Sequence, residues 1–291
     1  MISSSAPGKL VVFGEHAVVF GYPCIVMAID KKISISIEKS EADRDEIVLP
    51  ENIDNYLIKK TLEIFRNKFR TNKFLRIISK SEFSEKLGLG SSSASVVAMI
   101  RALSKFYNLH LSSSDIFELS HRAVLSVQPD NSGTDIAAAV YGGILYYQKP
   151  GQIKIISHGR LPLIVAYSGQ KAKSADMIKQ VKSLFKRRRK TLLQLFIKME
   201  NIVNEATDAI EKNNFIKLGE LMNINHQLLK DLNVSTTKLD KMVEAAISSG
   251  AWGAKLSGAG GGDCIIVLVS DSKKDDVCKS IKKVGGKIIK F

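Results

Sequence analysis

Ile33, Ile35 and Ile37 alternate with Ser34 and Ser36, the two-residue period of a strand with one buried face. Four further apolar runs read as strands: residues 10–13, 24–29, 74–79 and 142–148. Between them the period lengthens. Residues 52–69 and 94–107 read as helices, and in the second Val96, Val97, Ile100 and Leu103 fall on one face. A third helix runs from about 112 to 126, with Ser112, Ser113 and Ser114 as candidate caps and Asp115 in its first turn. KPGQ (149–152) reads as a turn and a domain boundary. Two strands follow, IKIIS and LPLIVAYS, and then a helical region over 174–249, broken near Lys190–Thr191, Asn213–Asn214 and Asn233–Ser235. The chain closes on a strand (262–270), a helix (272–284) and a last strand, GKIIKF. No fixed period repeats. The pattern predicts an α+β protein of two domains, residues 1–152 and 153–291, with a cleft between them.

Composition narrows the function classes. The chain is 45% hydrophobic and 25% charged, so a packed core is expected rather than disorder. The longest apolar stretch, residues 10–29, is interrupted by Glu15, His16 and Pro23 and does not read as a membrane span. The N-terminus lacks the basic start and apolar middle of a secretory signal. Cys24, Cys264 and Cys278 are odd in number and widely spaced, which suits free thiols in the cytoplasm. The net charge of +14 is dispersed except at KRRRK (186–190), which reads as a solvated stretch of helix. No aromatics interleave with it, which argues against a single-strand stacking platform.

The candidate chemistry sits in glycine-rich segments. LGLGSSSAS (87–95) opens a helix, and a helix start leaves N–H groups without helical partners at the positive end of the dipole. Glycines let backbone approach an anion closely, and serines add donors and an oxygen ligand for Mg2+. The segment therefore predicts a phosphate cradle. It is neither a Walker A loop, which needs Gly-Lys-Ser/Thr, nor a dinucleotide fingerprint. In AKLSGAGGGDC (254–264) four glycines stand in five positions, more than a chain reversal needs, and suggest close approach to a ligand or another loop. SAPGKLVVFGEHAVVFGYP (5–23) carries Lys9, Glu15 and His16. QPDNSGTDIAAAVYGG (128–143) places Asp135 behind Ser132, Gly133 and Thr134, a position that also suits a helix cap.

In this order APGK…GEH, GLGSSSAS, SGTD and KLSGAGGGD resemble the motifs of the GHMP kinases, which include galactokinase, homoserine kinase, mevalonate kinase and phosphomevalonate kinase. The likeness spans nearly the whole chain. The opening motif with GEHAVV, YSGQKAKSADMIKQV (167–181) and ELMNINHQLLKDLNVS (220–235) are most similar to the mevalonate kinase branch. The resemblance implies a ribosomal protein S5 domain 2-like N-terminal domain and a ferredoxin-like C-terminal domain, with the active site in the cleft. It implies ATP- and Mg2+-dependent phosphoryl transfer to the 5-hydroxyl of mevalonate, or, as the alternative, to phosphomevalonate or homoserine. The implied partners are the small-molecule alcohol and ATP, with no nucleic acid and no membrane. A homodimer is compatible with the sequence, which leaves the oligomeric state open.

Residue by residue, Asp135 matches the family's catalytic base. Lys9 matches the lysine beside it, whose charge stabilises the anionic oxygens of base and substrate. Gly88, Leu89, Gly90, Ser91, Ser92, Ser93 and Ala94 match the ATP phosphate loop, with Ser92 on Mg2+. Ser257, Gly258, Ala259, Gly260 and Gly261 match the third motif, beside the nucleotide phosphates. Glu15, His16, Ser132, Gly133, Thr134 and Ser174 match positions near the substrate or the base. The family often has a second Mg2+ ligand, a Glu eleven residues before the base, and here that position is Val124. Glu118 and Asp130 are the nearest acids. Either the alignment shifts, with Asp130 as the replacement, or ATP, Ser92 and water hold the ion. A non-catalytic binding protein on this fold would be expected to lose Lys9, Asp135 and Ser92, and all three are present.

Overall fold

The computed structural model describes residues 1–49, 55–84 and 87–290. The chain forms two compact units, each assembled from separated segments. The first takes Met1–Lys9, Ala28–Glu85 and Leu89–Gly142; the second takes Leu10–Met27, Lys86–Gly88 and Gly143–Phe291. Strands β1 (Ile2–Phe13) and β2 (Pro23–Lys39) each run through both.

In the first unit the later part of β2 pairs antiparallel with β4 (Leu75–Ser81), and β3 (Glu46–Val48) adds parallel to β4. β1 pairs with β2. The alternation read from the sequence holds: Ile33, Ile35, Ile37, Leu75 and Ile77 turn one face inward. Against that face pack α1 (Asn55–Phe69), α2 (Ser91–Phe106), α3 (Ser113–Leu125) and α4 (Thr134–Tyr141), through Leu62, Phe65, Val97, Ile100, Leu119 and Ile136 among others. Residues 52–54 of the expected first helix lie outside the described residues. Ser112 caps α3 as expected: its hydroxyl accepts from the Asp115 N–H while the Asp115 carboxylate accepts from the Ser112 N–H.

In the second unit the start of β2 pairs with β5 (Ile144–Gln148), which forms a hairpin with β6 (Gln152–Ser157). A second sheet runs β10-β7-β9-β8, built from β7 (Leu163–Tyr167), β8 (Gly253–Ser257), β9 (Cys264–Leu268) and β10 (Lys287–Ile289), every pair antiparallel. In chain order that is 4-1-3-2, the ferredoxin-like arrangement. α5 (Ser174–Arg187), α6 (Arg189–Glu211), α7 (Phe215–Asp231) and α8 (Thr237–Ser248) lie between its first two strands in sequence, and α9 (Lys274–Lys283) precedes the last. The break between α5 and α6 falls at Arg188, two residues before the expected one. The 3-10 turn Ala17–Phe20 is held by Phe20, whose ring lies 4.7 Å from Phe185 and 4.8 Å from Phe196. Residues 186–190 are exposed, as a solvated basic run should be. Among the described residues no helix is long and apolar enough to cross a membrane, and the three cysteines are free.

Candidate active site

In the first unit β1 delivers Lys9 beside the glycine-rich loop, and the Lys9 N–H donates to the Leu89 carbonyl at 2.8 Å. Lys9 is 7% exposed, so its ammonium is held away from bulk water. It lies 3.2 Å from Oδ1 of Asp135. Asp135 is the second residue of α4, behind a left-handed Gly133 cap, where the positive end of the helix dipole favours a carboxylate. The approach to α4 is fixed locally. The Gly133 N–H donates to Oδ1 of Asn131 at 2.9 Å, and the hydroxyls of Ser132 and Thr134 are 2.8 Å apart.

Gly90 is the N-cap of α2, with φ +77°. A Cβ there would lie 3.0 Å from Cγ of Lys9 and 3.5 Å from Oδ2 of Asp135, so this position needs glycine for both its backbone and its neighbours. The first helical hydrogen bond of α2 runs from the Ala94 N–H to the Gly90 carbonyl. The N–H groups of Ser91, Ser92 and Ser93 are therefore left to bind something else, and an anion there gains about 1 kcal/mol from the dipole before any direct bond is counted. The helix begins at Ser91, three residues earlier than periodicity indicated, so the serines are its first turn rather than a loop. Lys9, Gly90, Ser91, Ser92, Ser93 and Asp135 are thus brought together: an anion cradle beside an ion-paired carboxylate. Asp130 lies exposed in the turn at 129–130, and Glu118 is exposed on α3. Val124 is fully buried in the apolar core of the unit.

In the second unit the third glycine loop is tied to the first motif. The Ser257 hydroxyl donates to the Val11 carbonyl at 2.8 Å, and Nε2 of His16 lies 2.8 Å from the Ala259 carbonyl. Burial lowers the His16 pKa to about 4 despite the opposing pull of that carbonyl. The ring is therefore neutral at pH 7, Nε2 carries the hydrogen, and Nδ1 is left as the acceptor. Glu15 is 2% exposed and its carboxylate pairs with Lys255, which is fully buried and also donates to the Leu256 carbonyl at 2.7 Å. Burial lowers the Lys255 pKa while Glu15 opposes it. Ser174 opens α5 and is exposed.

Two residues that sequence reasoning gave no role hold this region. Lys255 is one, and its signal was a lone charge inside an apolar run. The other is Asp263, at φ +57°. Its carbonyl accepts from the Ser168 N–H, its N–H donates to the Gln170 carbonyl, and its carboxylate accepts from the Ala172 N–H at 3.1 Å. A Cβ on Gly88 would stand 2.6 Å from Oδ2 of Asp263, so the missing side chain at 88 is what admits this carboxylate.

Comparison with known proteins agrees with the motif reading. Residues 55–143 match the model of the GHMP kinases N terminal domain and residues 206–287 that of the GHMP kinases C terminal. The mevalonate kinase of Pyrococcus abyssi is 33% identical over 98% of this chain and 93% of its own. That of Methanocaldococcus jannaschii is 33% identical over 95% of each. The crystal structure of L. major mevalonate kinase in complex with R-mevalonate superposes with a TM-score of 0.84 at 28% identity, covering 97% of this chain and 91% of that one. With these relatives, both domain models and the order of its glycine loops, the chain belongs to the GHMP kinase family.

Proposed function

We propose that this protein is an ATP-dependent kinase that transfers a phosphoryl group to the 5-hydroxyl of mevalonate, giving 5-phosphomevalonate and ADP. The Lys9–Asp135 pair at 3.2 Å beside Gly90 carries the reading. Phosphoryl transfer asks little covalent chemistry of the protein; it needs positioning, charge neutralisation and a proton acceptor. Asp135 accepts the proton of the attacking hydroxyl. Lys9 offsets the negative charge that builds on the attacking oxygen. The orphan N–H groups of Ser91–Ser93 bind the phosphate oxygens, where charge develops in the transition state. Within the second unit the glycine loop that matches the family's third motif is held by Ser257 on Val11 and by Ala259 on His16. The choice of mevalonate rests on the archaeal relatives that carry that name and on the L. major enzyme with R-mevalonate bound.

Mg2+ fits this site as a companion of the nucleotide. The ion takes hard oxygen ligands and keeps several waters, needing one or two from protein. Ser92 offers its hydroxyl, which among the described residues makes no bond to protein. Val124 offers no oxygen, and Asp130 is the acid nearest Asp135 in sequence. When bound, the ion neutralises charge on the phosphate oxygens. Loss of Mg2+ by chelation abolishes turnover in this reading.

The test is ADP release by the purified protein with ATP–Mg2+ and, separately, mevalonate, phosphomevalonate and homoserine, beside Asp135→Asn. Turnover with mevalonate alone, lost in the variant, is expected. Turnover with phosphomevalonate or homoserine in its place overturns the substrate, and an undiminished Asp135→Asn overturns the base.

A further inference from the structure

A cavity of about 960 Å3 opens in the first unit at the end of α2 remote from the phosphate loop. Arg101, in its wall, is ten residues beyond Ser91, about 15 Å along the helix. The site is therefore separate from the cradle at Ser91–Ser93.

Its chemistry is one-sided. Arg101, Lys105 and His110 line it together with Ser4, Ser5 and Ser34, and among the described residues no carboxylate does. Arg101 and Lys105 are four residues apart on one helix face. The nearby Asp115 is occupied elsewhere, accepting from both the N–H and the hydroxyl of Ser112. Nη1 of Arg101 donates to the Ser5 carbonyl at 3.0 Å and Nη2 to the Val140 carbonyl at 2.7 Å. A guanidinium has five N–H donors, so three remain. Burial pulls the Arg101 pKa down, and among the described residues no counter-charge opposes it. A cation partly removed from water without a carboxylate is unfavourable unless an anion joins it. Among the described residues the hydroxyls of Ser4, Ser5 and Ser34 make no bond to protein and remain as donors.

We propose that this cavity is a second anion site, which takes a phosphate-bearing small molecule on Arg101, Lys105, His110 and the serine hydroxyls. Three donors in a planar fork suit phosphate oxygens, with lysine as a mobile point charge. The two carbonyls that Arg101 already holds belong to β1, four residues before Lys9, and to α4, five residues after Asp135. Arg101 therefore also fastens the strand and the helix that carry the ion pair, and a truncation there would confound binding with folding. Lys105 and His110 are exposed and make the cleaner variant.

Inorganic pyrophosphate titrated calorimetrically into the full chain, with a non-hydrolysable ATP analogue and Mg2+ saturating the phosphate loop, is the test. One additional saturable site is expected, weakened about tenfold or more in Lys105→Gln/His110→Gln. The same double variant should keep wild-type turnover when pyrophosphate is absent. No saturable heat up to about 10 mM pyrophosphate, or an affinity unchanged in the double variant, overturns the proposal.

Discussion

Lys255→Met removes the cation that pairs with the buried Glu15 carboxylate. Glu15 is 2% exposed, and Lys255 is the cation with which its carboxylate pairs. Desolvation costs several kcal/mol per buried ion, and the pair survives because each charge offsets the other. Removing one partner should cost about 3–5 kcal/mol at pH 7. For a unit of this size that lowers Tm by roughly 6–20 °C. The loss should depend on pH with a definite sign. A buried Glu15 without its cation has a folded pKa raised above the unfolded value near 4.3. Its penalty is thus absent below that value and grows as pH rises through neutrality. Glu15→Gln/Lys255→Met removes both charges and should recover most of the loss, since replacing a whole buried pair is often close to neutral. Urea unfolding followed by circular dichroism at pH 4.5 and 7.5, on the wild type, both single variants and the double, closes the cycle. A single-variant cost below about 1 kcal/mol, or a double variant no more stable than Lys255→Met, would refute the reasoning.

Asp135→Asn should lower kcat by about 10²–10⁴, the usual share of a positioned proton acceptor, with little change in KM for ATP; ADP release reads both. Gly90→Ala forces a side chain into a left-handed cap against Lys9, so kcat should fall at least about tenfold and stability by about 1–2 kcal/mol. Burial holds His16, and His226 on the buried face of α7, near pKa 4, against about 6.5 in the unfolded chain. The unfolded chain therefore takes up protons first as pH falls. Stability is complete above pH 6.5 and is lost toward pH 4, by about 2 kcal/mol per histidine at pH 5. Urea midpoints across that window should flatten in His16→Gln if the sign is right. Ser112→Ala breaks the α3 capping box and should cost about 1 kcal/mol in the same unfolding assay without altering kcat.

The elements with a clean period were the legible ones. Alternating isoleucines gave the inward face of β2, and Ser112 with Asp115 gave the start of α3. What escaped shares one cause: polar residues inside regular structure. Residues 2–9 of β1 carry three serines, a proline and a glycine, and the apolar run marked only 10–13 as strand; the strand reaches back to Ile2 because its backbone pairs with β2. β2 is one strand of 17 residues, although Asp30, Lys31 and Lys32 interrupt its apolar run and suggested a break. β8 went unread because Lys255 spoils its pattern; the ion pair with Glu15 and the bond to the Leu256 carbonyl explain a lysine in a wholly buried strand. The site was legible in a different way. Its glycines are demanded by backbone geometry and close approach, which leave a mark in sequence. The anchoring of Glu15 and His16 to residues 255 and 259 is long-range and leaves none.

The scattered make-up of the second unit has a consequence for synthesis. Residues 10–27 leave the ribosome early, yet the rest of their unit begins at residue 143. Glu15 waits for a lysine 240 positions later. At about 5–20 residues per second that is on the order of 10–50 s during which an emerging chain displays Phe13, Val18 and Phe20 without the surfaces that later cover them. The first unit has all its segments once residue 142 has emerged, and can begin to fold while residues 10–27 still lack the rest of their unit. Slower synthesis after residue 142 would lengthen that interval of exposure.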